Sequence, residues 1–325
     1  MKTERERMTT RLANATEEAL MFVSRRILPI FGRGRDNTAI FAHDPPRDEI
    51  GGDHPFADYV RAIEPTAELT GDRTAGWTLA FPDREGERRE TTATVIGAYN
   101  PDRPTILFHH SHGLYNPKLL IALLFRGKEL RGQYNIVSIR AAYHTDSKTF
   151  SAKSFDTLQH MEDTFAGSVL MVEKLQAALR SESKGAPVAM VVVSMGGMVT
   201  TWHSLLYGSV DAYFPIAAIA DAPRVFAGPG YDGATDLRTL RQGTGRAKEM
   251  FATNDFPATL ADRVFPVLAG HDHVVLSEWQ RSYWRALRGQ ALELPFGHFA
   301  ALFGMQEIRQ YMIEKLAVIR RRREI

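Results

Sequence analysis

Short apolar runs, spaced by longer stretches of helical periodicity, constrain this chain more than any other feature. The runs are 105–108 (Thr-Ile-Leu-Phe), 136–139, 188–193, 213–219, 264–269 and 292–294. Between them lie segments with three- and four-residue apolar spacing near 117–131, 155–181, 196–206, 276–288 and 299–320. A strand with one wet face alternates apolar and polar residues, whereas a continuous apolar run is a strand covered on both faces. Alternation with helices makes such strands parallel, because parallel neighbours need a crossover connection. Upstream, 77–81 and 91–99 flank Asp83-Arg84-Glu85-Gly86, which predicts an antiparallel hairpin. The expected architecture is α/β: a mostly parallel eight-stranded sheet with helices on both faces.

Two regions fall outside this rhythm. Residues 1–75 are read as an N-terminal amphipathic helix and a surface extension, and residues 76–325 as the main domain. In the helix, over 8–31, Met8, Leu12, Ala15, Ala19, Val23, Ile27 and Ile30 form the apolar stripe, and Arg11, Asn14, Glu18 and Arg25 fall away from it. Packing on the protein's own surface is the first reading of that stripe, and peripheral contact with a membrane the second. Residues 32–75 are rich in Gly, Pro, Asp and Arg and are expected to run as an extended loop. The stretch at about 220–262, after the sixth strand, is too long for an ordinary connection and reads as a small lid.

Composition removes several classes of function. The chain has 40 Lys and Arg against 38 Asp and Glu, a net charge of +2, which gives no basis for nucleic-acid binding. It has no cysteine, so thiolate catalysis, disulfides and cysteine metal sites are excluded. The first ten residues carry charges of both signs with no apolar core behind them, and no stretch reaches the roughly 18 apolar residues of a membrane span. The expectation is a cytoplasmic protein.

The chemistry concentrates at strand ends. Val191-Val192-Val193-Ser194-Met195-Gly196-Gly197 runs an apolar strand into a serine and then into a helix start. Such a turn lifts a hydroxyl out of the sheet and points helix N-terminal N–H groups at a developing oxyanion. Gly196 supplies the small residue a tight turn needs after the serine; Val192 departs from that need before it. The segment His109-His110-Ser111-His112-Gly113-Leu114 follows the third strand. Its Leu114 N–H is the expected second oxyanion donor beside that of Met195, with His112 and Gly113 as loop support. The spacing of these histidines matches no metal motif, and no metal or cofactor is expected. Gly270-His271-Asp272 ends another strand with a carboxylate that can orient a base. Capping of the helix near 277 is the bland reading of Asp272, and Asp221 is the alternative acid. Gly297-His298 follows the last strand, and a histidine there suits a general base.

In these motifs the chain resembles the α/β-hydrolase superfamily over roughly residues 75–320. Ser194, Asp272 and His298 occur in the order that this fold uses. The stretch from 136 to the Ser-Met-Gly-Gly turn is similar to the group typified by α/β-hydrolase domain-containing protein 18. The resemblance implies a serine esterase or lipase-like enzyme acting on a small-molecule ester through an acyl-enzyme, with no cofactor. The alternatives are a binding protein that kept the fold, and an acyltransferase or lyase using the same three residues.

Overall fold

In the computed structural model, residues 11, 15, 17–19, 55–111, 117–144, 154, 157–183, 186–226, 228–231, 256 and 258–323 are described. Among the described residues the sheet has nine strands, one more than the sequence suggests, in the order β1-β2-β3-β5-β4-β6-β7-β8-β9. They are β1 (Glu68–Asp72), β2 (Gly76–Pro82), β3 (Arg88–Val95), β4 (Thr105–His109), β5 (Asn135–Arg140), β6 (Val188–Val193), β7 (Ala212–Ile216), β8 (Val267–Ala269) and β9 (Leu292–Leu294). Strands β1, β2, β3 and β5 pair antiparallel in turn, and every pairing from β5 through β4 to β9 is parallel.

The extra strand corrects the expected extended loop over 32–75. Within it, α1 (Pro55–Ile63) and β1 are regular structure. Phe56, Tyr59, Val60 and Ile63 recur at helical spacing and are buried in the main core. That spacing outweighs the Gly, Pro and charge content of the region, because an apolar helix face gains more from burial than turn-forming neighbours cost. β1 then zips onto β2, where Asp72 accepts the N–H groups of Thr74 and Ala75 to close a tight turn.

Helices cover both faces. In chain order they are α2 (Pro117–Leu124), α3 (Lys128–Arg131), α4 (Leu158–Glu182), α5 (Gly196–Leu206), α6 (Ala222–Phe226), α7 (Ser277–Tyr283) and α8 (Met305–Arg323). The central strands divide their side chains between two cores. Leu107, Met190 and Val192 face the core holding α4 and α5. Ile106, Phe108, Ala189 and Val191 face the core holding α2 and α8. This period-two split of unbroken apolar runs is why β4 is buried at every position. The expected helix at 117–131 is divided where Gly127 turns the chain with φ of 112°, and α8 is preceded by a 3-10 turn over Ala300–Gly304.

Two N-terminal expectations meet the structure only in part. Residues 11, 15 and 17–19 are helical, but Ala15 and Ala19, assigned to the packed stripe, are exposed, while Glu17 is fully buried. The buried face follows the hydrogen bonds of one carboxylate rather than the alanines. Most of the expected lid, over 232–255, lies outside the described residues. Among the described residues, no helix is long and apolar enough to cross a membrane.

α4 lies so close to the sheet that a Cβ on Gly167 would stand 2.5 Å from the ring of Phe81 and 2.7 Å from Oγ1 of Thr91. Alanine gains up to about 1 kcal/mol over glycine in helix propensity. Overpacking against a fully buried ring costs about 1–3 kcal/mol. Gly167→Ala is therefore expected to lower stability in urea unfolding; a more stable variant would show that α4 can lift from the sheet.

Candidate active site

The ends of the parallel strands bring the candidate residues to one edge of the sheet, where α/β folds gather reacting groups. Ser194 follows β6 directly. Its φ is 56°, a left-handed conformation uncommon for any residue but glycine, asparagine or aspartate. The strain is held from both sides. The Ser194 N–H donates to the Ile216 carbonyl at 2.9 Å, tying the turn to β7, and the Gly197 N–H donates to the Ser194 carbonyl at 2.9 Å. Strained backbone persists where its surroundings over-determine it.

The Val192 departure has a local explanation. A Cβ on Gly196 would lie 2.5 Å from Cβ of Val192. The positions two before and two after the serine touch across the turn, so one of them must lack bulk. Here Gly196 takes the whole constraint and Val192 stays as a buried strand residue. Gly197 is equally confined, with its would-be Cβ 2.7 Å from the Ile219 carbonyl oxygen, so α5 starts hard against the chain leaving β7.

Asp272 and His298 meet. Nδ1 of His298 lies 2.8 Å from Oδ2 of Asp272, and the carboxylate is fully buried. A buried carboxylate needs its lone pairs filled. Oδ1 accepts the N–H groups of Val274 and Val275, and Oδ2 also accepts Nε2 of Gln280, each at 2.8 Å. Since the carboxylate can only accept, Nδ1 of His298 is the protonated nitrogen and Nε2 is left as the basic one. Burial opposes the imidazolium, but the charge of Asp272, its hydrogen bond and the charge of Glu17 outweigh it, so His298 is held above the ordinary histidine value of 6.5.

Asp272 does not cap α7, whose N-cap position is Leu276 without a side-chain cap. Asp221, the alternative acid, accepts the Arg224 N–H at 3.1 Å and caps α6 instead. Among the described residues, no hydrogen bond joins the Ser194 hydroxyl to Nε2 of His298. Such bonds often tighten only in a substrate complex. Met195 follows the serine as the N-cap residue of α5, ahead of the Gly197 and Met198 N–H groups that pair with the Ser194 and Met195 carbonyls. His112, Gly113 and Leu114 lie outside the described residues. His271 and His273 are exposed loop residues.

Sequence reading missed two supports of this pair, the Gln280–Ser277 couple and Glu17. Gln280 is fully buried: its amide nitrogen serves Asp272 and the Val275 carbonyl, while its amide oxygen accepts the Ala269 N–H. Ser277 donates to the Ala269 carbonyl and accepts the Asp272 N–H. The signal was present, since Ser277 and Gln280 share helical spacing with Tyr283, Trp284 and Leu287, a polar pair on an apolar face. The second miss, Glu17, carried no such signal.

The histidines of the β4 end are structural. The ring of His109 meets the His110 carbonyl and the Ser168 hydroxyl, and Nε2 of His110 accepts the Ala141 N–H at 3.2 Å. Burial pushes His109 and His144 down to about 4 and His110 well below 6.5. Groups whose folded values lie below their unfolded ones bind more protons when unfolded. Their stabilisation is complete above about 6.5 and is lost as pH falls toward 4. His298 has the opposite sign, its contribution being lost as pH rises through its raised value.

No protein-family model matches the chain, and no curated protein matches it in sequence. Solved structures do resemble it. Est1E from Butyrivibrio proteoclasticus with bound ferulic acid matches with a TM-score of 0.50 at 13% identity, covering 70% of this chain and 96% of that one. Acetyl xylan esterase from Paenibacillus sp. R4 has a TM-score of 0.48 at 12% identity, covering 84% and 98%. The chain has the α/β-hydrolase fold, a mostly parallel sheet with an antiparallel edge.

Two outcomes follow from this geometry. Gly196→Ala is expected to lose about 1–3 kcal/mol in denaturant unfolding, and the double variant Val192→Gly with Gly196→Ala to lose less than the sum of the two single variants; additive losses would mean that the two positions do not touch. Urea midpoints are expected to fall between pH 6.5 and pH 4, less steeply in His109→Gln; equal slopes would refute the neutral buried histidine.

Proposed function

We propose that the protein is a serine hydrolase that cleaves a carboxylic ester through an acyl-enzyme. The single observation that carries this reading is the strained, doubly tethered turn at Ser194 on the same sheet edge as the Asp272–His298 pair. In the first half-reaction, Nε2 of His298 takes the hydroxyl proton as Oγ of Ser194 attacks the acyl carbonyl. The imidazolium formed is stabilised by Asp272, which also holds the tautomer. The N–H groups of Met195 and Leu114 are the proposed oxyanion donors, and the protonated histidine returns its proton to the leaving alcohol. In the second half, His298 deprotonates water, which attacks the acyl carbon and restores the serine.

An ester with an apolar portion is favoured by the surface around these segments. Phe299, directly after His298, and Phe303, five residues after it, are 39% and 50% exposed. Leu119, just after the segment of the proposed second oxyanion donor, is 57% exposed. The esterases among the structural neighbours agree with the reaction class, and the 136–197 stretch supports kinship with the group typified by α/β-hydrolase domain-containing protein 18.

A fluorophosphonate probe tests the mechanism without a guess at the substrate. Wild type is expected to be labelled on Ser194, located by mass, and Ser194→Ala and His298→Ala are expected to stay unlabelled. The labelling rate of wild type is expected to fall as pH drops through a midpoint above 6.5, because the protonated imidazole cannot accept the serine proton. Folded wild type that stays unlabelled with and without detergent would sink the hydrolase reading. Transfer of an acyl group to added alcohol in preference to water would favour the acyltransferase.

A further inference from the structure

Glu17 is buried completely, 281 positions away in sequence from the histidine turn it touches. Its Oε1 accepts the His298 N–H at 2.8 Å, and its Oε2 accepts the Phe299 N–H at 2.9 Å and the Ala300 N–H at 3.1 Å. These are consecutive backbone donors, at the entry to the 3-10 turn that leads into α8. Free N–H groups at a helix entry normally find a cap from a nearby residue. Here the cap comes from the other end of the chain. The fit is close: a Cβ on Gly297 would stand 2.4 Å from Cδ of Glu17, so the space that glycine leaves is filled by the carboxyl group.

A carboxylate is not buried among backbone amides by accident, because removing it from water is costly unless donors replace the water. These donors belong to the peptide units that carry the proposed general base. We infer that Glu17 is a positioning residue for His298: it fixes the backbone on which the histidine stands and presents a second negative charge to the imidazole, behind Asp272. The inference rests on the hydrolase reading above and deepens it. On this view Glu17 is part of the active site, not a surface addition to it.

The charge has a consequence that packing alone lacks. Asp272, on the loop after β8, and Glu17, on the N-terminal helix, are the charged groups acting on His298 among the described residues. Both favour its protonated form. Replacing Glu17 with glutamine keeps the side chain's size and one of its two acceptor oxygens, sets an amide NH2 against the remaining backbone N–H, and removes the charge, so the imidazole becomes easier to deprotonate. Replacing it with alanine removes the cap as well.

The test measures fluorophosphonate labelling of Ser194 against pH in wild type, Glu17→Gln and Glu17→Ala, with thermal unfolding of each to certify the fold. Folded Glu17→Gln is expected to show its labelling midpoint at lower pH than wild type. Glu17→Ala is expected to lose on the order of ten- to a hundred-fold in plateau rate, the scale on which small misplacements of a reacting group act. If Glu17→Ala fails to fold, the midpoint of Glu17→Gln decides alone. Variants that keep the wild-type rate and midpoint overturn the role of Glu17 and leave the hydrolase intact. A slower rate with an unmoved midpoint also overturns it, reducing Glu17 to a structural cap. Wild type that is itself unlabelled fails the hydrolase reading and this one with it, a result told apart by the wild-type arm.

Discussion

A single buried carboxylate organises the candidate site. Asp272 has no contact with solvent, so its charge is tolerable only because protein donors stand where water would. Each donor fixes something. The amides of Val274 and Val275 set the turn after β8, Gln280 ties that turn to α7, and His298 takes its orientation from the remaining bond. Loss of any one leaves the others facing a partly unsolvated charge, which makes the arrangement cooperative rather than a sum of contacts. The sheet contributes by ending β6, β8 and β9 at one edge, so this cluster and the serine turn lie along that same edge.

The serine turn obeys a different constraint, namely space. Val192 and Gly196 occupy one contact, and Gly197 presses on the exit of β7. Left-handed backbone at Ser194 is retained because the hydrogen bonds to Ile216 and from Gly197 leave the residue no relaxed alternative. The positive φ of Ala217, at 48°, lies at the end of the neighbouring strand, so two adjacent strand exits bend sharply at the same edge.

Much of the fold was legible in the sequence, for a physical reason. Runs such as 188–193 are apolar on both faces because both faces are covered, and that pattern has few other readings. The catalytic candidates were legible because each stands alone after such a run. Three features were not. The helix over Pro55–Ile63 sits in a region dominated by turn formers, and its four apolar anchors are easily lost among them. At Ala15 and Ala19, the two positions of the expected stripe among the described residues, burial failed because small side chains bury little area and yield to one well-placed polar bond. Glu17 acts through N–H groups supplied by backbone 281 positions away, and backbone groups leave no trace in residue identity.

The bond between Glu17 and the His298 turn closes a loop of 281 residues. Closing so large a loop carries a chain-entropy cost that the sheet between the two ends, once formed, has already met. The turn bearing the histidine therefore has its cap only when the two ends of the chain are brought together. A chain still being synthesised, or one whose sheet is misassembled, lacks that cap even with the serine turn formed. Reactivity at Ser194 would then be a property of the finished molecule, acquired at the end of folding rather than accumulated along it.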